Sequence, residues 1–429
     1  MDMVLFSVVG IVGLSLLFDF TNGFHDAANS TSTVVATKAL KPRTAVYMAA
    51  FFNFVALFVV GTTVANTVAK TVNVDALGTA AGGVPMGLAV AFGALMAAIF
   101  WNYFTWSVGM PSSSSHALIG GLLGAGLAAG GTDAIKWSSV EKTVLAIVAS
   151  PLVAFGVAFA AMFLVGLLQR VTKWEDDAKP FKWLQIVSSA AVSFGHGAND
   201  AQKTMGVIAF ALVAGGYMSA DSPIPMWVEI AAYSMIALGT MWGGWKIIET
   251  MGLRITKLNA NNGVAANIGA TTAIFGATEL GIPISTTQAA AASVMGAGSA
   301  AGTGLNLRKI GEMVIAWVFT VPASAVAGFV MMSFTKLPDP WGWIVCLTAI
   351  AALLVWAGRL MLHAENADDI EAMLPSDTEL HQYHTIPHPD VHEYEGPPHV
   401  NHHDAAHHYH DAARPKPQHS DGQEPRAGV

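Results

Sequence analysis

From Met1 to about Leu362 the sequence is a succession of apolar stretches broken by short polar loops. A stretch of about 20 apolar residues is what an α-helix needs to cross the hydrocarbon layer of a membrane. No water is present there to satisfy backbone N–H and C=O groups, so only helices or closed barrels can cross. Composition points the same way: 53% of residues are hydrophobic and only 12% charged, about half the usual charged fraction of soluble chains. A large water-soluble enzyme is thereby excluded. Forty-two Gly and nineteen Met suit closely packed helices in lipid, where small residues let backbones approach. The single cysteine, Cys346, excludes an intramolecular disulfide and a cysteine-built metal cluster. A net charge of −8 gives no sign of nucleic-acid binding. The expected class is an all-α integral membrane protein embedded in a lipid bilayer.

The candidate spans are 3–20 running on to about 37, 44–65, 83–107, 113–130, 141–169, 184–213, 226–245, 263–280, 285–302, 309–335 and 341–361, making about 11–12 membrane segments. The first, from Val4, has neither the basic leader nor the cleavage site of a signal peptide and is expected to be retained. Two segments, 3–37 and 184–213, are too long for one plain span. Each carries a polar, Gly-containing motif, Thr21 to Asn29 in one and Gly195 to Lys203 in the other. Such interruptions at membrane depth are tolerated where they face protein or a wet cavity, so both segments are expected to be broken helices.

The two motifs belong to an internal duplication. Asp26 aligns with Asp200 at a shift of 174, and Gly109-Met-Pro-Ser-Ser-Ser-Ser-His116 aligns with Gly281-Ile-Pro-Ile-Ser-Thr-Thr-Gln288 at a shift of 172. Over 109–130 against 281–302, ten of 22 positions are identical. Thirteen Lys and Arg residues, among them Lys38, Arg43, Arg170, Lys182, Arg254 and Arg359, fall in one alternating set of loops and segment ends. Four, Lys70, Lys136, Lys142 and Lys336, fall in the other. By the positive-inside rule the first set is cytoplasmic, which puts the N-terminus outside, the C-terminal tail inside, and the two repeats in opposite orientations. The expected layout is membrane repeat 1 over 1–169, a cytoplasmic linker over 170–183, membrane repeat 2 with a final helix over 184–362, and a disordered His-rich cytoplasmic tail over 363–429. Inverted repeats containing two broken helices and two helical hairpins are a transporter signature, with the substrate site where the halves meet near the midplane.

The chemistry of that site is written in the hairpin motifs. Each has a Gly or Pro break, a run of hydroxyl residues and then a helix. The free N–H groups of the first helical turn, with the hydroxyls of Ser113, Ser114 and Ser115 and of Ser285, Thr286 and Thr287, can converge on an oxyanion. Plain N-capping uses the same residue types. Asp26, Asn29, Asn199, Asp200 and Lys203 come from the interrupted segments. Buried ionisable residues in a membrane point to function, and carboxylates beside an anion require a proton or a cation between them. Asp19, Asp26 and Asp200 therefore argue for coupled proton or cation movement. Lys203 stands where the first repeat has Asn29, and a fixed ammonium there would offset part of an anion's charge. A lysine snorkelling to the interface is the plainer alternative. His25, His116 and His196 are the histidines of the membrane region. His25, beside Asp26, and His196 are candidates for handling protons.

These residues resemble a known family. Asn22-Gly-Phe-His-Asp-Ala-Ala-Asn29, Ser193-Phe-Gly-His-Gly-Ala-Asn-Asp-Ala-Gln-Lys203 and Pro283-Ile-Ser-Thr-Thr287 are similar to the PiT family of inorganic phosphate transporters, over roughly residues 10–360, and most of all to its bacterial low-affinity branch. The resemblance implies secondary active uptake of inorganic phosphate across the cell membrane, with a co-transported proton or sodium ion and no permanently bound cofactor. In that branch it implies proton coupling and phosphate carried as divalent-metal complexes. It assigns phosphate to Asp26, Asn29, Ser113, Ser114, Ser115, Asn199, Asp200, Ser285, Thr286 and Thr287. Two positions depart from the family: Gln288 replaces a usual His, and the stretch Gly263 to Asn267 lacks a common Glu.

Three other readings stay open: sodium coupling, a sulfate permease on the same scaffold, and an intramembrane serine hydrolase built on Ser112 to Ser115 with His116. The last lacks a Gly-x-Ser-x-Gly elbow. In the tail, His399, His402, His403, His407, His408 and His410 have metal-ligand chemistry without fixed spacing. Homo-oligomerisation is left open by the sequence.

Overall fold

Helices form wherever the sequence is apolar over a membrane's thickness. The computed structural model describes residues 3–73, 76–78 and 84–374; the tail histidines His402, His403, His407, His408 and His410, the candidate metal site of the tail, lie outside the described residues. In chain order the helices are α1 (Met3–Asp26), α2 (Ala28–Ala36), α3 (Pro42–Val55), α4 (Thr63–Ala69), α5 (Met86–Ser107), α6 (Ser114–Gly130), α7 (Trp137–Thr172), α8 (Lys179–Ala214), α9 (Met226–Trp242), α10 (Trp245–Leu253), α11 (Ala260–Glu279), α12 (Thr286–Ala301), α13 (Leu307–Phe334), α14 (Trp341–Leu362) and α15 (Ala367–Met373). Each of the eleven expected segments coincides with a helix or a helix pair.

Six of these spans are long and apolar enough by themselves to cross a membrane, α1 with α2 counting as one, and the bent pair α3/α4 makes seven. The sequence count of 11–12 segments is larger because it includes α8, α9, α11 and α12. Of these, α9 and α12 have 17 and 16 residues, short of a full span, and α8 and α11 carry many of the buried polar groups described below.

The duplication reappears as packing. The α5/α6 hairpin packs against α13, from the second half, and the α11/α12 hairpin packs against α7, from the first. Each half thus closes over the other's hairpin. Small residues permit this: a Cβ at Gly124 of α6 would fall on the backbone of Ala325 in α13, and one at the matching Gly296 of α12 on the backbone of Phe155 in α7. Both hairpins turn in the same way. Gly109 and Gly281 take φ of +65° and +66°, a conformation that costs a Cβ-bearing residue about 1–2 kcal/mol. Met110 N–H bonds to the Thr105 carbonyl and Ile282 N–H to the Ala277 carbonyl, each at 2.9 Å.

The structure differs from the expected layout at four points. The helix break in the first segment shrinks to one residue, Ala27, itself in right-handed helical conformation. The second segment is not broken at all, for α8 runs 36 residues through Gly195 to Lys203. Its glycines serve close approach instead: a Cβ on Gly197 would meet the Asn53 Cα at 2.6 Å. A sharp bend of 87° falls instead between α3 and α4, and Gly243-Gly244 separates α9 from α10. The linker is only residues 173–178, since α7 runs to Thr172 and α8 starts at Lys179. Finally, the beginning of the expected disordered tail is ordered. α15 is held by an Asn366/Asp369 capping box, buries Ile370, and places Asp368 2.9 Å from Arg43.

The distribution of polarity is inside-out relative to a soluble protein. Leu145, Leu152 and Leu164 of α7 and Val318 of α13 are each 67–70% exposed, while His25, Asp26, His196, Asp200 and Lys203 are at most 1% exposed. Lipid is the solvent such a surface requires.

Candidate functional site

The buried polar residues meet where α1 and α8 pass the N-termini of α6 and α12. Asp26 and Asp200, mates in the duplication, face the two hairpins together. Ser114 Oγ lies 3.1 Å from Asp26 Oδ2 and 2.5 Å from Asn22 Oδ1. Thr286 Oγ1 lies 3.4 Å from Asp26 Oδ2 and 3.3 Å from Asp200 Oδ2. One hydroxyl from each hairpin thus reaches the carboxylates. Asn29 Nδ2 donates to Thr286 and Thr287 Oγ1 at 3.2 and 3.3 Å, and its buried Oδ1 has no partner.

Each carboxylate has its own basic partner. His25 Nδ1 is 2.6 Å from Asp26 Oδ1, and its Nε2 is 3.0 Å from Thr105 Oγ1, which accepts from Ser112 at 2.8 Å. Asp200 pairs with Lys203 through Oδ1 at 2.6 Å and faces His196 Nε2 at 3.5 Å through Oδ2. His196 Nδ1 is 3.2 Å from Asn53 Oδ1. Lys203 Nζ also contacts Ser115 Oγ at 2.5 Å and the Ile284 carbonyl at 3.0 Å; at 1% exposure it does not snorkel.

Other sequence candidates have different employment. Ser113 and Ser285 are helix N-caps, accepting from the backbone N–H of His116 and Gln288 at 3.2 and 3.1 Å. Both thus act as N-caps in this structure. Asn199 holds the second hairpin turn, donating to Thr278 Oγ1 at 2.9 Å and the Ile282 carbonyl at 3.4 Å and accepting from Ile284 N–H at 3.4 Å. His116 lies buried with both ring nitrogens unpaired, so no serine of the Ser112 to Ser115 run is activated by it. Asn267, at the end of the stretch Gly263 to Asn267, has its amide satisfied by Ser188 and the Gln185 carbonyl at 3.0 and 3.3 Å and its oxygen by Thr33 at 3.1 Å. Asp19 is fully buried in α1, with Thr204 of α8 beside its carboxylate.

Asn22, Thr105 and Asn53 are the site residues that the sequence reading did not single out. Asn22 is the most consequential: its Nδ2 reaches Asp200 Oδ2 at 3.2 Å while its oxygen takes Ser114. The available signal was the shift of 174, which aligns Asn22 with His196 and His25 with Asn199. The two repeats carry the same Asn and His at exchanged places.

A carboxylate oxygen of Asp26, one of Asp200 and a ring nitrogen of His196 lie within 4.8 Å of one another, all buried. Two carboxylates and an imidazole fit a divalent cation, and the hydroxyls beside them fit an oxyanion. The profile of the phosphate transporter family, PHO4, matches residues 22–328, a region containing every one of these groups except Asp19. The chain belongs to the phosphate transporter family. A relative from Rhizobium meliloti (strain 1021), described as a probable low-affinity inorganic phosphate transporter, is 47% identical over 324 residues, covering 74% of this chain and 93% of the relative. One of the same description from Bacillus subtilis (strain 168) is 42% identical over 329 residues, covering 76% and 97%. A solved structure of a sodium-dependent phosphate transporter superposes with a TM-score of 0.66 at 25% identity, over 77% of this chain and 99% of that one. As a member of a transporter family with multiple membrane helices, the chain is a transporter and not an enzyme.

Proposed function

We propose that this phosphate transporter family member is a secondary symporter that brings inorganic phosphate across the plasma membrane with protons, and that phosphate travels with a divalent cation. The observation that carries the reading is the convergence of Ser114 and Thr286, one from each hairpin, on Asp26 and Asp200. Hydroxyls can rotate from the carboxylates toward an arriving phosphate, and the unpaired Asn29 Oδ1 can accept from a protonated phosphate oxygen. Two carboxylates beside a phosphate would repel it. A metal ion carried as cargo on Asp26, Asp200 and His196 supplies the missing positive charge.

Proton coupling is supported by three features. His25 is hydrogen-bonded to Asp26, His196 faces Asp200, and Asp19 is fully buried, where a carboxylate is held at least cost with a proton on it. The proposed orientation keeps the N-terminus outside and the C-terminal side cytoplasmic, with repeats over 1–169 and 184–362. Sodium coupling is the second reading, favoured by the solved relative described as sodium-dependent. Labelled phosphate uptake into proteoliposomes decides. Acid outside should stimulate uptake in sodium-free medium, and sulfate should fail to compete. Strict dependence on sodium, or efficient competition by sulfate, overturns the proposal.

A further inference from the structure

Lys203 sits in the middle of α8 in an unusual setting. Its ammonium has three N–H donors and no acceptor, and three oxygens surround it: Asp200 Oδ1 at 2.6 Å, Ser115 Oγ at 2.5 Å and the Ile284 carbonyl at 3.0 Å. They come from three separate pieces of chain: α8, the first turn of α6, and the turn that leads into α12. The donors are matched one to one. Ser115 in turn donates to the Ile284 carbonyl at 2.7 Å, so the cage is tied together without the lysine.

One carboxylate, one hydroxyl and one backbone carbonyl are also what a small hard cation takes as ligands. The duplication sharpens the comparison. At the matching position the first repeat has Asn29, an uncharged amide whose oxygen has no partner. Where one half presents a bare side-chain oxygen, the other presents a tethered positive charge in an oxygen cage. A snorkelling lysine would hand its donors to water at the interface, whereas this buried one has all three taken by oxygens from three elements, as burial of an ammonium requires. What marks it further is its place opposite the unpartnered Asn29 oxygen of the other repeat.

We infer that Lys203 is a covalently attached substitute for a monovalent coupling cation, filling a cation site that spans both hairpins and making sodium unnecessary there. The inference rests on the proton-driven reading above. Its consequence is specific: the charge that a mobile ion would bring and release in each cycle is permanent here. Removing the lysine leaves an oxygen-lined vacancy with an unbalanced carboxylate.

Two variants separate this from a structural role. Lys203→Asn copies the first repeat and adds a side-chain oxygen to the cage, whereas Lys203→Met fills similar volume with no donor or acceptor of comparable strength. Thermal unfolding of the purified proteins is compared in sodium chloride and choline chloride at equal ionic strength, and phosphate uptake is measured in the same salts. The wild type should melt and transport identically in both. Lys203→Asn should be stabilised saturably by sodium, lose about tenfold or more of its sodium-free uptake, the scale of losing one charge-assisted hydrogen-bonded contact, and regain part of it with sodium. Lys203→Met should lose uptake without any response to sodium. A wild type that itself requires sodium overturns the inference, as does a Lys203→Asn variant with no sodium response in either assay. If Lys203→Asn folds in neither salt, Lys203→Arg, which keeps the charge, decides: sodium-independent uptake supports the inference and sodium-dependent uptake overturns it. The thermal measurement needs no phosphate. A wild type that moved no phosphate would therefore sink the functional reading while leaving the sodium comparison intact.

Discussion

Asp26 and Asp200 are mates in the duplication but not equivalents, because one is paired with His25 and the other with Lys203. Asp26→Asn keeps a hydrogen-bonding side chain beside a histidine that can stay neutral, so the protein should fold at normal abundance and lose phosphate uptake. Asp200→Asn leaves a buried ammonium without its counter-ion, a loss of about 3–5 kcal/mol when such pairs are broken. Its folded yield should fall along with its uptake. The double change Asp200→Asn with Lys203→Met removes both charges and should recover the yield, read by size-exclusion chromatography and thermal unfolding, but not the uptake. Near-normal uptake by either single variant would remove that carboxylate from the mechanism. Asp19 calls for a different assay. The charged groups acting on it are Asp200 and Lys203 of α8, and Tyr233 of α9 is also within electrostatic reach. If it loads the transported proton, Asp19→Asn should still exchange internal for external phosphate yet no longer accumulate it under an acid-outside gradient, and Asp19→Glu should restore accumulation. Equal loss of exchange and accumulation would assign Asp19 to folding or phosphate binding instead. Charged residues such as these were legible in the sequence because an apolar context makes each one costly. Asn22 and Thr105 were not, since amides and hydroxyls are tolerated in membrane helices at small cost and carry no comparable alarm.

The helical elements were legible nearly to the residue at the hairpins, because Gly109, Pro111 and Ser113, with Gly281, Pro283 and Ser285, punctuate the chain by local rules. The same local signs misled along α8. Gly195, His196, Gly197 and Asn199 read as a break, yet their backbones stay helical because neighbouring elements satisfy the side chains and need the glycines' lack of bulk. Sequence cannot distinguish a glycine that bends a helix from one that admits a neighbour. The hairpin N-termini offer a test of which hydroxyls are structural. Ser113→Ala and Ser285→Ala each remove an N-cap, which should cost about 0.5–2 kcal/mol of stability while leaving the apparent affinity for phosphate close to wild type. Ser114→Ala and Thr286→Val remove the hydroxyls that reach the carboxylates, so they should weaken phosphate affinity with less effect on melting temperature. The opposite pattern, with affinity falling on loss of the caps, would place the oxyanion at Ser113 and Ser285.

At the scale of the molecule, each half packs one long helix, α7 or α13, on the hairpin of the other, and the site lies between both hairpins with its polar groups buried. That enclosure makes its charge decisive, because ionic interactions are screened far less when buried. With both histidines neutral, Asp26, Asp200 and Lys203 leave a net negative charge in place before any phosphate arrives. A phosphate anion adds more of the same sign, so it cannot enter alone without a large electrostatic cost. A divalent cation on Asp26, Asp200 and His196, whose ligand atoms lie within 4.8 Å of one another, turns that repulsion into attraction and lets the pair move as a nearly neutral unit. Chelating divalent metal in the uptake medium should therefore lower phosphate accumulation strongly, and readdition of magnesium or manganese should restore it. The rate should follow the concentration of the metal–phosphate complex and not that of total phosphate. Labelled metal should accumulate with phosphate in fixed proportion, and His196→Ala should reduce both together. Uptake indifferent to chelation, or phosphate accumulating without labelled metal, would overturn the metal–phosphate reading and remove Asp26, Asp200 and His196 as a cargo-metal site.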